Sequence, residues 1–196
     1  VADSTTVLLY KLARAAVAAR PDRREVVVGS DDFPTDRYVL EGIARERGLT
    51  LRWVETDADL GVTLEHVADA VGPATALVVL SHVSYRSSYV ADLAAVAAVV
   101  HEAGALLLAD LCHSVGVLPL SLDAWGVDLA VGCGYKYLNG GPGAPAFAYV
   151  RAGLDVQQPV WGWMGRADPF EMGPGYRPAP GIRQLIRSDD PQSYFG

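Results

Sequence analysis

The sequence predicts an α/β fold in which a mainly parallel sheet is covered by helices. Short apolar runs alternate with segments of helical apolar spacing from about residue 6 to residue 150. The joins between them are short, as in a covered sheet built from strand–helix repeats. The runs are continuously apolar rather than alternating, which suits strands buried on both faces.

Val7, Leu8, Leu12, Ala15, Ala16 and Ala19 recur at helical spacing between Thr6 and Arg20, with Ser4, Thr5 or Thr6 available as cap and Pro21 as the stop. Glu25 to Ser30 is a β-branched strand. A loop of Asp31-Asp32-Phe33-Pro34-Thr35-Asp36 comes next, and Thr35 is expected to cap a helix that runs to Arg47 and ends at Gly48. Leu49 to Val54 reads as a second strand and Gly61 to Ala70 as a helix capped by Thr63, with His66 an incidental surface residue. Ala74 to Ser81 is a third strand, followed by the polar loop from His82 to Ser88. Val90 to Ala103 is an alanine-rich helix closed by Gly104. Ala105 to Asp110 and Asp128 to Gly132 are the fourth and fifth strands. Ala146 to Val150 is a sixth, expected antiparallel because the segment before it is too short for a helical crossover. Beyond Arg151 the composition turns to Trp, Gly and Pro, and no regular element is assigned.

With 196 residues the chain can bury a core and is read as one domain, and 51% hydrophobic against 20% charged residues argues against disorder. The net charge of -7 gives no support to nucleic-acid binding, which would want a basic face. Cys112 and Cys133 are the only cysteines, too few for a secreted disulfide framework, and they read as small buried hydrophobes. No stretch is long and apolar enough for a membrane span, so a cytoplasmic location is expected. The chain starts at Val1, and it is expected to be a segment of a longer one.

Chemistry-bearing residues gather at the strand ends: Ser81-His82, Asp110 with Cys112 and His113, and Tyr135-Lys136 ahead of Asn139-Gly140-Gly141-Pro142-Gly143. In a parallel sheet those ends share one edge, where open α/β sheets place their sites. Glycines at this density permit close backbone approach to a ligand. The starts of two helices, at Thr5-Thr6 and at Phe33 to Asp36, reach the same edge and offer donors for an anion. A phosphate-bearing aldehyde cofactor would use this inventory: a lysine, a carboxylate, an aromatic face and phosphate donors. The glycine run is neither a dinucleotide fingerprint nor a P-loop, since its lysine precedes the glycines. Asp110, Cys112, His113 and Cys133 could ligate zinc chemically but lack paired ligands at familiar spacing, so no metal is expected. A Ser114–His113–Asp110 triad fails because neighbours on one strand end do not converge.

Two runs then resemble the kynureninase family of the aminotransferase class V group, fold type I. They are Asp110-Leu111-Cys112-His113-Ser114-Val115-Gly116 and the stretch from Asp128 to Phe147 containing Tyr135-Lys136-Tyr137-Leu138-Asn139-Gly140-Gly141-Pro142-Gly143. The resemblance extends to Asp3-Ser4-Thr5-Thr6-Val7, Asp32-Phe33-Pro34-Thr35-Asp36, Ser81-His82-Val83-Ser84-Tyr85-Arg86 and Gly162-Trp163-Met164-Gly165. It implies a three-layer αβα large domain over residues 1–196, with pyridoxal 5'-phosphate as cofactor. It also implies that Lys136 bonds to the cofactor, Asp110 holds the pyridine proton and His113 stands beside it. Phe33 would stack on the ring with Asp36 and Ser81 as neighbours. Thr5 and Thr6 would bind phosphate, and Tyr135 would touch phosphate and assist proton transfer. Trp163 would reach the partner's site in a homodimer. The implied reaction is hydrolysis of kynurenine or 3-hydroxykynurenine to anthranilate or 3-hydroxyanthranilate plus alanine, within tryptophan catabolism and NAD biosynthesis.

The resemblance breaks in residues 151–196, a divergent segment expected on the substrate side. Arg166 stands where the family usually has a histidine. After Gly181-Ile182-Arg183, the run Leu185 to Pro191 carries Asp189, a carboxylate that would repel a phosphate it faced. Two alternatives stay open: a related enzyme performing elimination, desulfuration or transamination on another amino acid, and a non-catalytic structural relative. Retention of both Lys136 and Asp110 argues against the second.

Overall fold

The computed structural model describes residues 1, 4–56 and 59–185, so Asp189 and the rest of 186–196 lie outside the described residues. The elements are α1 (Thr5–Ala18), β1 (Glu25–Gly29), α2 (Pro34–Arg47), β2 (Thr50–Val54), α3 (Leu64–Ala70), β3 (Thr75–Ser81), α4 (Leu93–Glu102), β4 (Leu106–Asp110), α5 (Leu122–Trp125), β5 (Leu129–Cys133) and β6 (Ala146–Val150). The strands form one sheet in the order β2-β1-β3-β4-β5-β6. All neighbours are parallel except β6, which runs antiparallel to β5 with Cys133 opposite Ala146. The antiparallel last strand is as expected, and it brings the start of β6 to the edge where the parallel strands end.

Successive strand residues point to opposite faces, and the core divides accordingly. On one face Leu9, Leu12, Leu40 and Ile43 of α1 and α2 pack on Val26, Val28, Leu77, Val79, Leu106 and Leu108. On the other, Val67, Val96 and Val100 of α3 and α4 pack on Val27, Val78, Leu80, Leu107 and Ala130. Each fully buried aliphatic side chain of this kind is worth about 1.5–3 kcal/mol. The result is the expected αβα layering.

Local chemistry sets the helix starts. Ser4 caps α1, its hydroxyl accepting the Val7 N–H at 3.3 Å. Thr63 and His66 form a capping box, each side chain accepting the other's backbone N–H at 3.3 Å, so His66 has a structural role. The expected Thr35 cap is replaced. Pro34 takes the first helical position of α2, Phe33 is the N-cap, and no side chain caps the helix. Proline supplies the helical φ there and has no N–H to satisfy. The alanine-rich helix starts three residues late, at Leu93, because Asp92 accepts the Ala95 N–H at 3.0 Å. Helix α5 was not expected, because its four residues are too few to set up an apolar period. Among the described residues after Arg151 there are three short 3-10 turns: Trp163–Gly165, Pro169–Glu171 and Gly181–Leu185.

One buried acid braces the sheet end away from the site. Asp128 accepts the Leu107 N–H at 2.8 Å and pairs with His101 at 2.9 Å and Arg151 at 2.7 Å. It thereby joins α4, β4 and the residue after β6.

Candidate functional site

The ends of β1, β3, β4 and β5 bring their polar residues to one edge, where a cavity of about 340 Å³ opens. Thr5 and Thr6 reach it from the start of α1, Phe33 and Asp36 from the start of α2, Asp110 and His113 from the end of β4, and Tyr135 and Lys136 from the loop after β5.

The β4 end turns sharply. Asp110 Oδ1 accepts the Cys112 N–H at 2.7 Å, and Ser114 and Val115 both donate to the Leu111 carbonyl at 3.0 Å. This turn swings His113 over the cavity. Ser114 is buried and its hydroxyl donates to the Leu111 carbonyl at 3.3 Å, which leaves it no nucleophilic role. The loop after β5 closes on itself through Gly134 N–H to Pro145 O and Gly140 N–H to Gly134 O, both 2.9 Å. A Cβ on Gly134 would stand 2.5 Å from the Pro145 oxygen, so only glycine allows this closure. Lys136 is thereby held with Nζ 2.8 Å from His113 Nε2 and 5.6 Å from the centroids of both the Phe33 and Tyr135 rings. Tyr85 packs edge-on against Phe33, with ring centroids 5.4 Å apart.

The electrostatics are lopsided. Asp36 and Asp110 are both buried against the cavity. Burial, then the charges of Asp110 and Asp32, push the Asp36 carboxyl well above the usual carboxylate range, while Lys136 works against the shift. His113 is pushed below the usual imidazole value, first by burial and then by Lys136, with Asp110 opposing. Lys136 therefore faces a neutral imidazole at neutral pH, and its ammonium donates to Nε2. At the other wall, the first N–H groups of α1 have no carbonyl one turn back. Beside the Thr5 and Thr6 hydroxyls they suit an anion.

Three expected site residues stand apart from the cavity wall. Ser81 pairs with Asp110 in the sheet register and lines a small neighbouring cleft, where its N–H donates to Asp32 Oδ1 at 3.3 Å. Trp163 lies in a 3-10 turn with its ring edge-on to Phe170 at 5.9 Å. Arg166 is buried in the same segment, bonded to the Gly173 carbonyl at 3.1 Å and to Glu171 at 2.7 Å. Asp189 falls outside the described residues.

Other contributors were not singled out from the sequence as cofactor-binding or catalytic residues. Cys112 and Cys133 are buried as expected of small hydrophobes, yet both line the cavity, and the Cys112 sulfur lies 3.8 Å from the Thr5 hydroxyl. Ser4, Thr35 and Ala146 also line it. Cys112 had a usable signal, since it lies two residues beyond Asp110. Ala146 had none, because only the antiparallel pairing brings it there. Among the described residues no group of three or more His, Cys, Asp or Glu side chains could hold a metal ion, and no helix is long and apolar enough to cross a membrane.

The profile of the family "Aminotransferase class-V" matches residues 3–171. A kynureninase of Pseudomonas fluorescens is 41% identical over 199 residues, covering 97% of this chain and 46% of that protein. A kynureninase of Burkholderia pseudomallei (strain K96243) is 39% identical with the same coverage. This chain thus spans about half the length of the curated relatives it matches. Among solved structures, a cysteine desulfurase of Thermococcus onnurineus NA1 superposes with a TM-score of 0.81 at 18% identity, covering 97% of this chain and 47% of that one. The cystine C-S lyase C-DES gives 0.80 at 23%, covering 95% and 50%. These structural likenesses establish the fold, and with the profile match over most of the chain they close the assignment: the chain belongs to the aminotransferase class-V family.

Proposed function

We propose that this chain is the cofactor-binding part of a pyridoxal-phosphate-dependent kynureninase, which hydrolyses kynurenine or 3-hydroxykynurenine to anthranilate or 3-hydroxyanthranilate plus alanine. The observation that carries the reading is the convergence of Lys136 and the buried Asp110 on one cavity whose far wall is a helix N-terminus. Identity of 41% to a kynureninase across nearly the whole chain selects among the chemistries such a site could serve.

The donor set fits pyridoxal 5'-phosphate. Asp36 Oδ2 is buried with the Asp110 carboxyl as its neighbour and no N–H or hydroxyl donor of its own among the described residues, which marks the carboxylate corner as built for something further. Thr5, Thr6 and the first N–H groups of α1 would hold the phosphate, and Phe33 would lie against the ring. Asp110, with Asp36 beside it, would keep a proton on the ring nitrogen. When bound, the cofactor supplies an aldehyde for an amino group and a ring that withdraws electrons from the carbon attached to it.

This chain's own residues supply the proton handling. In its unprotonated amine form Lys136 Nζ accepts and then returns the proton at the substrate's α-carbon, as a positioned general base and acid. His113 accepts from that nitrogen at 2.8 Å and so fixes where it points. Tyr135, half-exposed at the mouth, presents a phenol to the same space and serves as a second proton carrier. Ser81 steadies this edge from behind through its bond to Asp32. Arg166, through Glu171 and Gly173, shapes the segment taken as the substrate side, with Asp189 further along it. A homodimer with Trp163 near the partner's site, a cytoplasmic location and a place in tryptophan catabolism and NAD biosynthesis complete the reading.

Product analysis of the full-length protein with both kynurenines tests it. Anthranilate or its 3-hydroxy form is expected. Bound cofactor with neither product would replace the reading with a class-V enzyme acting on another amino acid.

A further inference from the structure

Three carboxylates crowd the edge of the sheet beside the cavity, and only two of them line it. Asp36 and Asp110 do; Asp32 stands behind them, also buried. Both of its oxygens are used. Oδ2 accepts the Gly29 N–H at 3.0 Å, and Oδ1 accepts the Ser81 N–H at 3.3 Å. Gly29 is the last residue of β1 and Ser81 the last of β3, and the Asp32 N–H returns to the Gly29 carbonyl at 3.2 Å. One side chain therefore joins two neighbouring strand ends to the turn that leads into α2. The approach is close enough that a Cβ on Gly29 would stand 2.8 Å from Asp32 Oδ2.

Directly after Asp32 the chain enters the cavity wall. Phe33 is the N-cap of α2 and Asp36 lies in its first turn, its N–H donating to the Phe33 carbonyl at 2.9 Å. Burial raises the Asp32 carboxyl to about 6, the Ser81 and Gly29 bonds oppose that rise, and the Asp110 charge adds to it. The charges facing it are Asp110 from β4 and Asp36 from α2, while β1 and β3 present only neutral donors. Lys136 offsets the crowding at Asp36.

We propose that Asp32 is a positioning residue of this site: its carboxylate ties the ends of β1 and β3 to the Phe33–Asp36 turn, and so sets where Phe33 and Asp36 stand beside Asp110 and Lys136. Asparagine has the same shape but cannot replace it, since one of its terminal atoms is a donor and would face an N–H.

The test is amide NMR of the full-length protein without cofactor, titrated from about pH 5 to about pH 8, a range that spans the raised Asp32 value of about 6. The Gly29 and Ser81 amides should shift together with a midpoint near that value, and the Phe33 and Asp36 amides should move with the same midpoint. Asp32→Asn should abolish the shared transition and bind pyridoxal phosphate about tenfold more weakly. Gly29 and Ser81 amides that stay still would overturn the proposal. So would Phe33 and Asp36 amides that ignore the transition, or unchanged cofactor affinity in Asp32→Asn. If that variant does not fold, the wild-type titration alone decides. The affinity arm rests on the pyridoxal-phosphate reading, and a full shared transition in a protein that binds no pyridoxal phosphate would sink that reading while supporting the role of Asp32.

Discussion

Lys136 Nζ lies 2.8 Å from Nε2 of His113, so this cation at the cavity is held by a neutral ring rather than by a carboxylate. That choice leaves Asp110 and Asp36 as a separate pair of carboxyls at the same cavity. It also makes the Lys136–His113 pair sensitive to acid. The folded chain holds His113 below its usual value, so as pH falls the unfolded chain takes the proton first. The contribution of this neutral arrangement to stability is present above about pH 6.5, and it is lost as pH falls through the folded value. In Lys136→Met the imidazole midpoint, read from its ring protons by NMR, should rise toward the usual value without reaching it. Burial is the larger cause and remains.

Replacing the lysine also tests the cofactor assignment. Lys136→Ala in the full-length protein should lose the visible absorbance of a lysine-bound pyridoxal, together with turnover. Phosphate-side binding through Thr5 and Thr6 should survive, detectable by equilibrium dialysis. Unchanged absorbance would remove Lys136 from its role.

Cys112 lines the cavity, yet it should be chemically quiet. Burial above all, and the Asp110 charge next, push its thiol far above the usual range, which leaves almost no thiolate. Alkylation by iodoacetamide at mildly alkaline pH, followed by mass spectrometry, should mark it only when the protein is unfolded. Rapid labelling of the native protein would contradict this environment.

Asp128 should matter to stability and not to chemistry. Removing it leaves the Leu107 N–H, His101 and Arg151 without their shared acceptor at a fully buried position. Asp128→Ala is expected to cost about 3 kcal/mol in chemical denaturation. Cofactor affinity in the folded fraction should stay at the wild-type level.

Arg166 gives a prediction of the opposite kind. Its guanidinium holds Gly173 and Glu171, away from Asp110 and Lys136. On the proposal that this segment forms the substrate side, Arg166→Ala should raise KM roughly tenfold by loosening it. Its cofactor affinity, titrated by absorbance, should remain unchanged.

Much of this architecture was open to sequence reading because its causes are local or periodic. The β-branched runs, the Ser4 and Thr63 caps and the stop at Gly48 each arise from a few neighbouring residues. Where Thr35 lost the cap to Pro34 and Phe33, two local rules competed and the fixed φ of proline prevailed. The segment after Arg151 resisted reading because 3-10 turns of three to five residues impose no apolar period.

Lys136 and Asp110 were legible as strand-end residues in a parallel sheet, since that topology sends all such ends to one edge. Their neighbours were not. That His113 meets Lys136, that Asp32 bridges Gly29 and Ser81, and that Cys112 reaches Thr5 depend on contacts across 23, 49 and 107 residues of chain. No local pattern encodes such distances. Residue types and their order are sufficient for the layers and the chemistry-bearing edge. Which carboxylate faces the cavity, and which one braces it from behind, is settled only when helices and strands pack, because burial and neighbouring charge are properties of the assembled core.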